Sequence, residues 1–230
     1  MTKPTSDKWW RTKEIHGCET WEDGELLFEF AKAHGLVPSH YMLEVGCGAL
    51  RAGRFFIDYL EPGHYFGLDH NEHVLSAARE EIVLQGLVDK KATLFQSTDF
   101  DLSLLPEGIR FDFAWSHSVM THMTPSQVEA CLGAVFGRMA ENGVYFSTYN
   151  ESLNGEHTTS GMHPWRDGEL NGARFPAGFF VSLARKLGLA VEFVCSTYLK
   201  AYTRQPIDKA GLQFVVRFRK QSREAMETGF

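Results

Sequence analysis

Met42-Leu43-Glu44-Val45-Gly46-Cys47-Gly48, followed one helical span later by Tyr65-Phe66-Gly67-Leu68-Asp69, is the stretch whose reading decides the fold. Both apolar runs have the length of buried strands, and the glycines after the first open a turn whose bare backbone can approach a ligand closely. Between them Ala52, Phe55, Phe56, Tyr59 and Leu60 fall on one helical stripe, which Glu61-Pro62-Gly63 stops. A strand, a glycine turn, a helix and a second strand ending in a carboxylate together hold a nucleoside-containing cofactor, with the carboxylate placed for a ribose.

Working outward, the pattern continues as β-α units. A helix over residues 72–84 ends at Gly86, a third strand covers 91–96, and Phe111-Asp112-Phe113-Ala114-Trp115 is the fourth. Thr124-Pro125-Ser126-Gln127 then combines a capping threonine, a proline at the first helical position and a glutamine placed to complete a capping box. Val128, Cys131, Leu132, Val135, Phe136 and Met139 mark the buried face of that helix. A turn at Glu141-Asn142-Gly143 is expected to lead into a fifth strand over 144–148.

Apolar periodicity disappears between Tyr149 and Phe175, in a stretch rich in Gly, Asn, Thr, His and Arg, and loops of that length inside a domain are usually functional. Phe179, Phe180, Leu183, Ala184 and Leu187 restore a helix closed by Gly188, and two strands follow over 191–199 and 212–218 with no helix between them. Parallel neighbours need a crossover whereas antiparallel ones accept a short connection, so these last strands should be antiparallel. Ahead of the repeat, Leu26, Leu27, Phe30 and Ala31 recur at helical spacing after Asp23. The expectation is an α/β, Rossmann-like, seven-stranded and mostly parallel sheet with its last strand antiparallel, plus an N-terminal helical segment. The divisions are a helical lid segment over 1–40, the main domain over 41–220 with a pocket loop at 149–175, and a tail over 221–230.

Length and composition agree with one main domain. The chain has 230 residues, 43% of them apolar and 23% charged, as in an ordinary globular protein. Its formal net charge of -6, with scattered basic residues, argues against a nucleic-acid substrate. Met1 to Lys8 is polar and no later run is long enough to span a bilayer, so neither a signal sequence nor a membrane partner is expected, and the location is expected to be cytoplasmic. Cys18, Cys47, Cys131 and Cys195 are dispersed without a CxxC pair and read as reduced, mainly packing residues.

With the Glu44-x-Gly46-x-Gly48 turn, Asp69 and the closing strands in view, the chain resembles the class I S-adenosylmethionine-dependent methyltransferases over about residues 41–220. The stretch from Phe111 through Ser116-His117-Ser118-Val119-Met120-Thr121-His122 looks like the strand-four motif of that family's small-molecule branch. The chain departs at Leu50, where the family often carries a third glycine. A dinucleotide fingerprint would need glycine at Arg51, which favours adenosylmethionine over NAD.

The resemblance implies S-adenosyl-L-methionine as cofactor, with Glu44, Gly46, Cys47, Gly48, Asp69 and His70 around its amino acid and ribose parts. Asp99 and Phe100 would flank adenine, and Ser116 would lie beneath the methyl-transfer position. Glu44 would organise the turn and hold the ammonium group; an acid inside an apolar strand is costly unless paired. For Asp69 a turn-initiating or helix-capping role before Asn71 stands as the plainer alternative. Core packing is the alternative for Phe100.

The acceptor is expected to be a small molecule reacting at oxygen, with His122 as general base and His117 as second choice. Tyr149, His163, Trp165 and Arg166 would contact the acceptor. N- or S-transfer without a base, cofactor binding without turnover, and an NAD-dependent oxidoreductase are the rivals. No HxxxH or HxH spacing supports a metal site from His117, His122, His157 and His163. Trp9, Trp10 and Trp21 would either cover the site or pack the N-terminal helix, Trp21 leaning to packing. The chain is expected to be a monomer or homodimer.

Overall fold

The apolar run at 42–45 forms β1 (Met42–Val45), buried at all four positions, as a strand covered on both faces must be. The computed structural model describes residues 8–11, 21–152, 154–159, 161, 172–194 and 213–221, and the chain divides into two compact units, Met1–Thr98 and Asp99–Phe230.

In the first unit β1 pairs in parallel with β2 (Tyr65–Asp69), and β2 with β3 (Thr93–Gln96). The order is β3-β2-β1. Three helices accompany them, α1 (Gly24–Ala33), α2 (Gly53–Tyr59) and α3 (Glu72–Leu84). The expected bounds of α3 are met to the residue. Its start is fixed by Asn71, whose side chain accepts from the N–H groups of His73 at 3.0 Å and Val74 at 3.4 Å, a cap worth about 1 kcal/mol. Helix α1 starts after Asp23 as expected, although the Asp23 side chain makes no capping bond.

In the second unit the order is β4-β5-β8-β7, with β6 beside β5. The strands are β4 (Phe111–Ser116), β5 (Met139–Glu151), β6 (Arg174–Phe175), β7 (Leu189–Val194) and β8 (Gln213–Lys220). Strand β8 runs antiparallel to both β5 and β7, as the missing crossover predicts. Helix α4 (Pro125–Arg138) opens with the complete Thr124/Gln127 capping box, and α5 (Ala177–Leu187) closes on left-handed Gly188.

Two expectations need correction. Glu141-Asn142-Gly143 makes no turn; β5 begins at Met139, directly after α4, and the extra residues are absorbed as a bulge. Phe111 pairs with Met139 while Phe113 pairs with Val144, and a Cβ on Gly143 would lie 2.7 Å from the Phe111 carbonyl oxygen. The stretch from 149 to 175 is not wholly loop, because Tyr149 to Glu151 continue β5 and Arg174–Phe175 form the two-residue β6 beside β5, in addition to the seven strands expected. No helix among the described residues is long and apolar enough to cross a membrane.

Candidate functional site

The first unit gathers six of the candidate residues at the ends of β1 and β2. Past Val45 the chain turns through Gly46, Gly48 and Leu50 with φ of 70°, 55° and 66°, all left-handed. Glycine accepts that conformation freely, whereas Leu50 adopts it at a cost, held by complete burial of its side chain. Gly53, the first residue of α2, is needed for a different reason, the close approach of its neighbours. A Cβ there would lie 2.5 Å from Leu50 Cδ2, 2.6 Å from the Tyr65 hydroxyl and 2.9 Å from Glu44 Oε2. At Gly48, by contrast, a Cβ would meet nothing within 4 Å, so open space lies above bare backbone where the tail of a ligand can rest.

Asp69 closes the turn. Its Oδ2 accepts from the Gly48 N–H at 2.9 Å and its Oδ1 from the Asn71 N–H at 3.0 Å, with His70 Nδ1 3.3 Å away. The turn-initiating role is therefore real, and lone pairs remain on both oxygens for further donors. Cys47 is a buried free thiol, its ionisation pushed well up by burial and then by the Asp69 and Glu44 carboxylates, which keeps the thiol protonated.

Glu44 is buried and accepts a short hydrogen bond from the Tyr65 hydroxyl. Burial pushes its carboxyl up to about 8 from an ordinary 4.5, against the lowering by the Tyr65 bond and the Arg51 charge. The folded chain thus holds a proton that the unfolded chain has released, and stability should fall as pH rises between these two values. Thermal unfolding followed from pH about 5 to 8 is expected to show that fall, and Glu44→Gln, which mimics the protonated acid, to remove its part of the slope. Identical slopes in the two proteins would contradict it.

The second unit carries the remaining candidates. Asp99 and Phe100 open it, Asp99 exposed and Phe100 half-buried with a left-handed φ of 63°, so Phe100 is no fully buried core ring. Ser116 ends β4 fully buried, 2.8 Å from the Tyr145 hydroxyl and donating to Ser147 Oγ at 2.6 Å. Past it Ser118 takes φ 59° with its N–H on Thr148 Oγ1 at 2.7 Å, while Thr121 Oγ1 donates to the Ser118 carbonyl at 2.9 Å. That strained turn presents His117, whose Nδ1 is 3.2 Å from Ser118 Oγ, and the short 3-10 turn Met120–His122. Both histidines are half-buried. The Ala173 N–H donates to the Thr121 carbonyl at 2.8 Å, tying the end of the long stretch to this loop.

Tyr149 lies in β5 with its ring buried edge-on against Phe180 at 4.6 Å, and His157 packs 4.7 Å from Phe175. His163, Trp165 and Arg166 lie outside the described residues. Among the described residues no group of three or more His, Cys, Asp or Glu is placed to hold a metal ion. Trp10 and Trp21 are buried against Ala49 and Ala77, a packing role, with Trp9 half-buried beside them. Sequence reasoning missed Glu81 and Tyr65, both fully or almost fully buried. The signal for Glu81 was its place on the apolar stripe of α3 with Leu75, Ala77 and Ala78.

Comparison with known proteins bears on the same stretch. A family model described as a methyltransferase domain matches residues 43–145, which include the turn, Asp69 and β4. A crystal structure of an S-adenosylmethionine-dependent methyltransferase from Clostridium acetobutylicum superposes with a TM-score of 0.65 at 14% identity, covering 91% of this chain and 96% of that one. DesVI of Streptomyces venezuelae gives 0.65 at 15% over 95% and 100% of the two chains. The glycopeptide N-methyltransferase MtfA, complexed with S-adenosyl-L-methionine, gives 0.64 at 16% over 91% and 100%. At such identities the likeness is one of α/β Rossmann-like fold, while the family match falls on the glycine turn and its closing carboxylate. Residues 43–145 thus match the methyltransferase domain family, and the chain is similar in fold to S-adenosylmethionine-dependent methyltransferases, among them MtfA with S-adenosyl-L-methionine bound.

Proposed function

We propose that this enzyme transfers a methyl group to an oxygen of a small-molecule acceptor, with Gly46, Cys47, Gly48, Asp69 and His70 holding the cofactor and Glu44 organising their turn. The carrying observation is the open space above the Gly48 backbone beside a carboxylate that still has lone pairs to offer. Asp99 and Phe100 are assigned to adenine. Small-molecule specificity is supported by similar folds such as the magnesium protoporphyrin IX methyltransferase of Synechocystis, with a TM-score of 0.61 at 11% identity over 96% of this chain and 87% of that one.

Bound adenosylmethionine supplies a methyl carbon made electrophilic by its sulfonium. The chain's own tasks are to align the acceptor, exclude water and take a proton from a hydroxyl. His122 is assigned that last task and His117 stands second, because a loop held by Thr148 and Thr121 keeps both rings partly accessible. Ser116 supports the loop from its buried hydroxyl network. Tyr149, His163, Trp165 and Arg166 are assigned to the acceptor.

The test uses adenosylmethionine labelled in its methyl group against a panel of phenols, alcohols, amines and thiols. Label should pass to a hydroxyl compound, and His122→Ala should cut turnover by roughly 10²–10⁴-fold while adenosylhomocysteine affinity stays within about twofold. Transfer to an amine with His122→Ala fully active would replace this reading by N-methylation, the reaction named for MtfA, here without a base.

A further inference from the structure

We propose that Glu81 is a positioning residue for cofactor binding, a buried latch on α3 that seats the Trp9–Arg11 strap against the glycine turn at Ala49. The proposal rests on the reading of residues 46–48 as the cofactor turn.

Glu81 is fully buried, yet all of its bonding capacity is used. Its Oε2 accepts from Trp10 Nε1 and from Arg11 Nε, both at 3.0 Å, and its Oε1 from Arg11 Nη2 at 2.5 Å and Gln85 Nε2 at 2.8 Å. Three of the four bonds come from a strap some seventy positions away in sequence. The paired Arg11 bonds form the planar fork that fixes direction as well as distance. An apolar side chain would suit the Leu75, Ala77, Ala78 stripe at least as well, since buried ion pairs are often replaceable by packed apolar groups without loss of stability. What the carboxylate adds is a unique seating for Trp10 and Arg11.

That seating is at the cofactor turn. The Trp10 ring packs with Trp21, Ala77 and Ala49, and Ala49 follows directly on Gly48, whose N–H is held by Asp69. Trp9 stacks on His73 with ring centroids 4.3 Å apart and planes 4° from parallel, in the first turn of α3 beside Asn71. Arg11 also lies 5.6 Å over the Trp21 ring. A turn containing three left-handed residues is thereby held by Asp69 at Gly48 and packed by the strap at Ala49. Loosening the strap should cost affinity for the cofactor even where the fold survives.

The experiment uses the full chain and titrates adenosylhomocysteine by calorimetry, with thermal unfolding in parallel, on wild type, Arg11→Met and the double variant Arg11→Met/Glu81→Met. Arg11→Met leaves a buried carboxylate short of partners and should lose both stability and affinity. The double variant removes the stranded charge and should regain wild-type unfolding temperature while still binding adenosylhomocysteine at least about tenfold more weakly. A purely structural pair would recover both together, so wild-type affinity in the double variant overturns the proposal, as does affinity within twofold of wild type in Arg11→Met. Wild-type protein that bound no adenosylhomocysteine would instead sink the reading of the turn itself, and this proposal with it.

Discussion

Replacing Asp69 by alanine is expected to weaken adenosylhomocysteine binding at least 100-fold, read by calorimetry on protein shown by its far-ultraviolet spectrum to be folded. Hydrogen bonds to a charged acceptor contribute about 1.5–3 kcal/mol each, so losing two to a ribose corresponds to about 3–6 kcal/mol, or roughly 10²–10⁴ in affinity. The same side chain also satisfies the Gly48 and Asn71 N–H groups. Losing these two bonds should lower stability by about 3 kcal/mol or more, because they too are bonds to a charged acceptor.

Asp69→Asn separates the two roles less cleanly than its shape suggests. One amide oxygen can keep the Asn71 N–H, but the amide nitrogen would then face the Gly48 N–H, donor against donor. The asparagine variant should therefore bind nearly as poorly as the alanine one. Affinity within threefold of wild type in both variants would remove Asp69 from the cofactor site.

The elements that the sequence made readable are those whose cause is local. Helix α3 carries its own cap in Asn71, α4 its capping box, and α5 its left-handed glycine, so their ends are written where they occur. Strands β1 and β2 are short runs with no polar alternation, which suits strands covered on both faces. The antiparallel ending followed from the lack of a crossover helix. Glu141-Asn142-Gly143 misled because the turn chemistry is genuine, yet pairing with Phe111 and Val144's place opposite Phe113 draw the segment into β5 as a bulge.

The site was half legible for the same reason. Gly46, Gly48 and Asp69 declare themselves by spacing, but the need for glycine at 53 appears only once the chain folds, when Leu50, Tyr65 and Glu44 crowd its Cα. The double use of Asp69 depends on which backbone N–H groups the folded turn turns inward. Glu81 meets Trp10 and Arg11 only after the N-terminal strap has folded back, and no local spacing can announce that. Sequence periodicity reports which face is buried; it does not report which distant partner makes a buried charge tolerable.

Gly24→Ala sets local propensity against tertiary contact in a single substitution. Alanine favours a helix over glycine by at most about 1 kcal/mol, and Gly24 opens α1 without a left-handed φ, so propensity alone predicts a more stable protein. The added Cβ, however, would fall on the Arg51 carbonyl oxygen and lie 2.6 Å from the carbonyl carbon. Backbone cannot rotate aside as a side chain can. Either α1 or the turn leading into α2 must move, and overpacking of this kind costs about 1–3 kcal/mol or more. The expected outcome in urea titration is a net loss of up to about 2 kcal/mol, accompanied by weaker adenosylhomocysteine binding because Arg51 follows directly on Leu50 of the glycine turn. A variant as stable as wild type with unchanged affinity would show that the close approach of α1 to Arg51 is not what holds the turn.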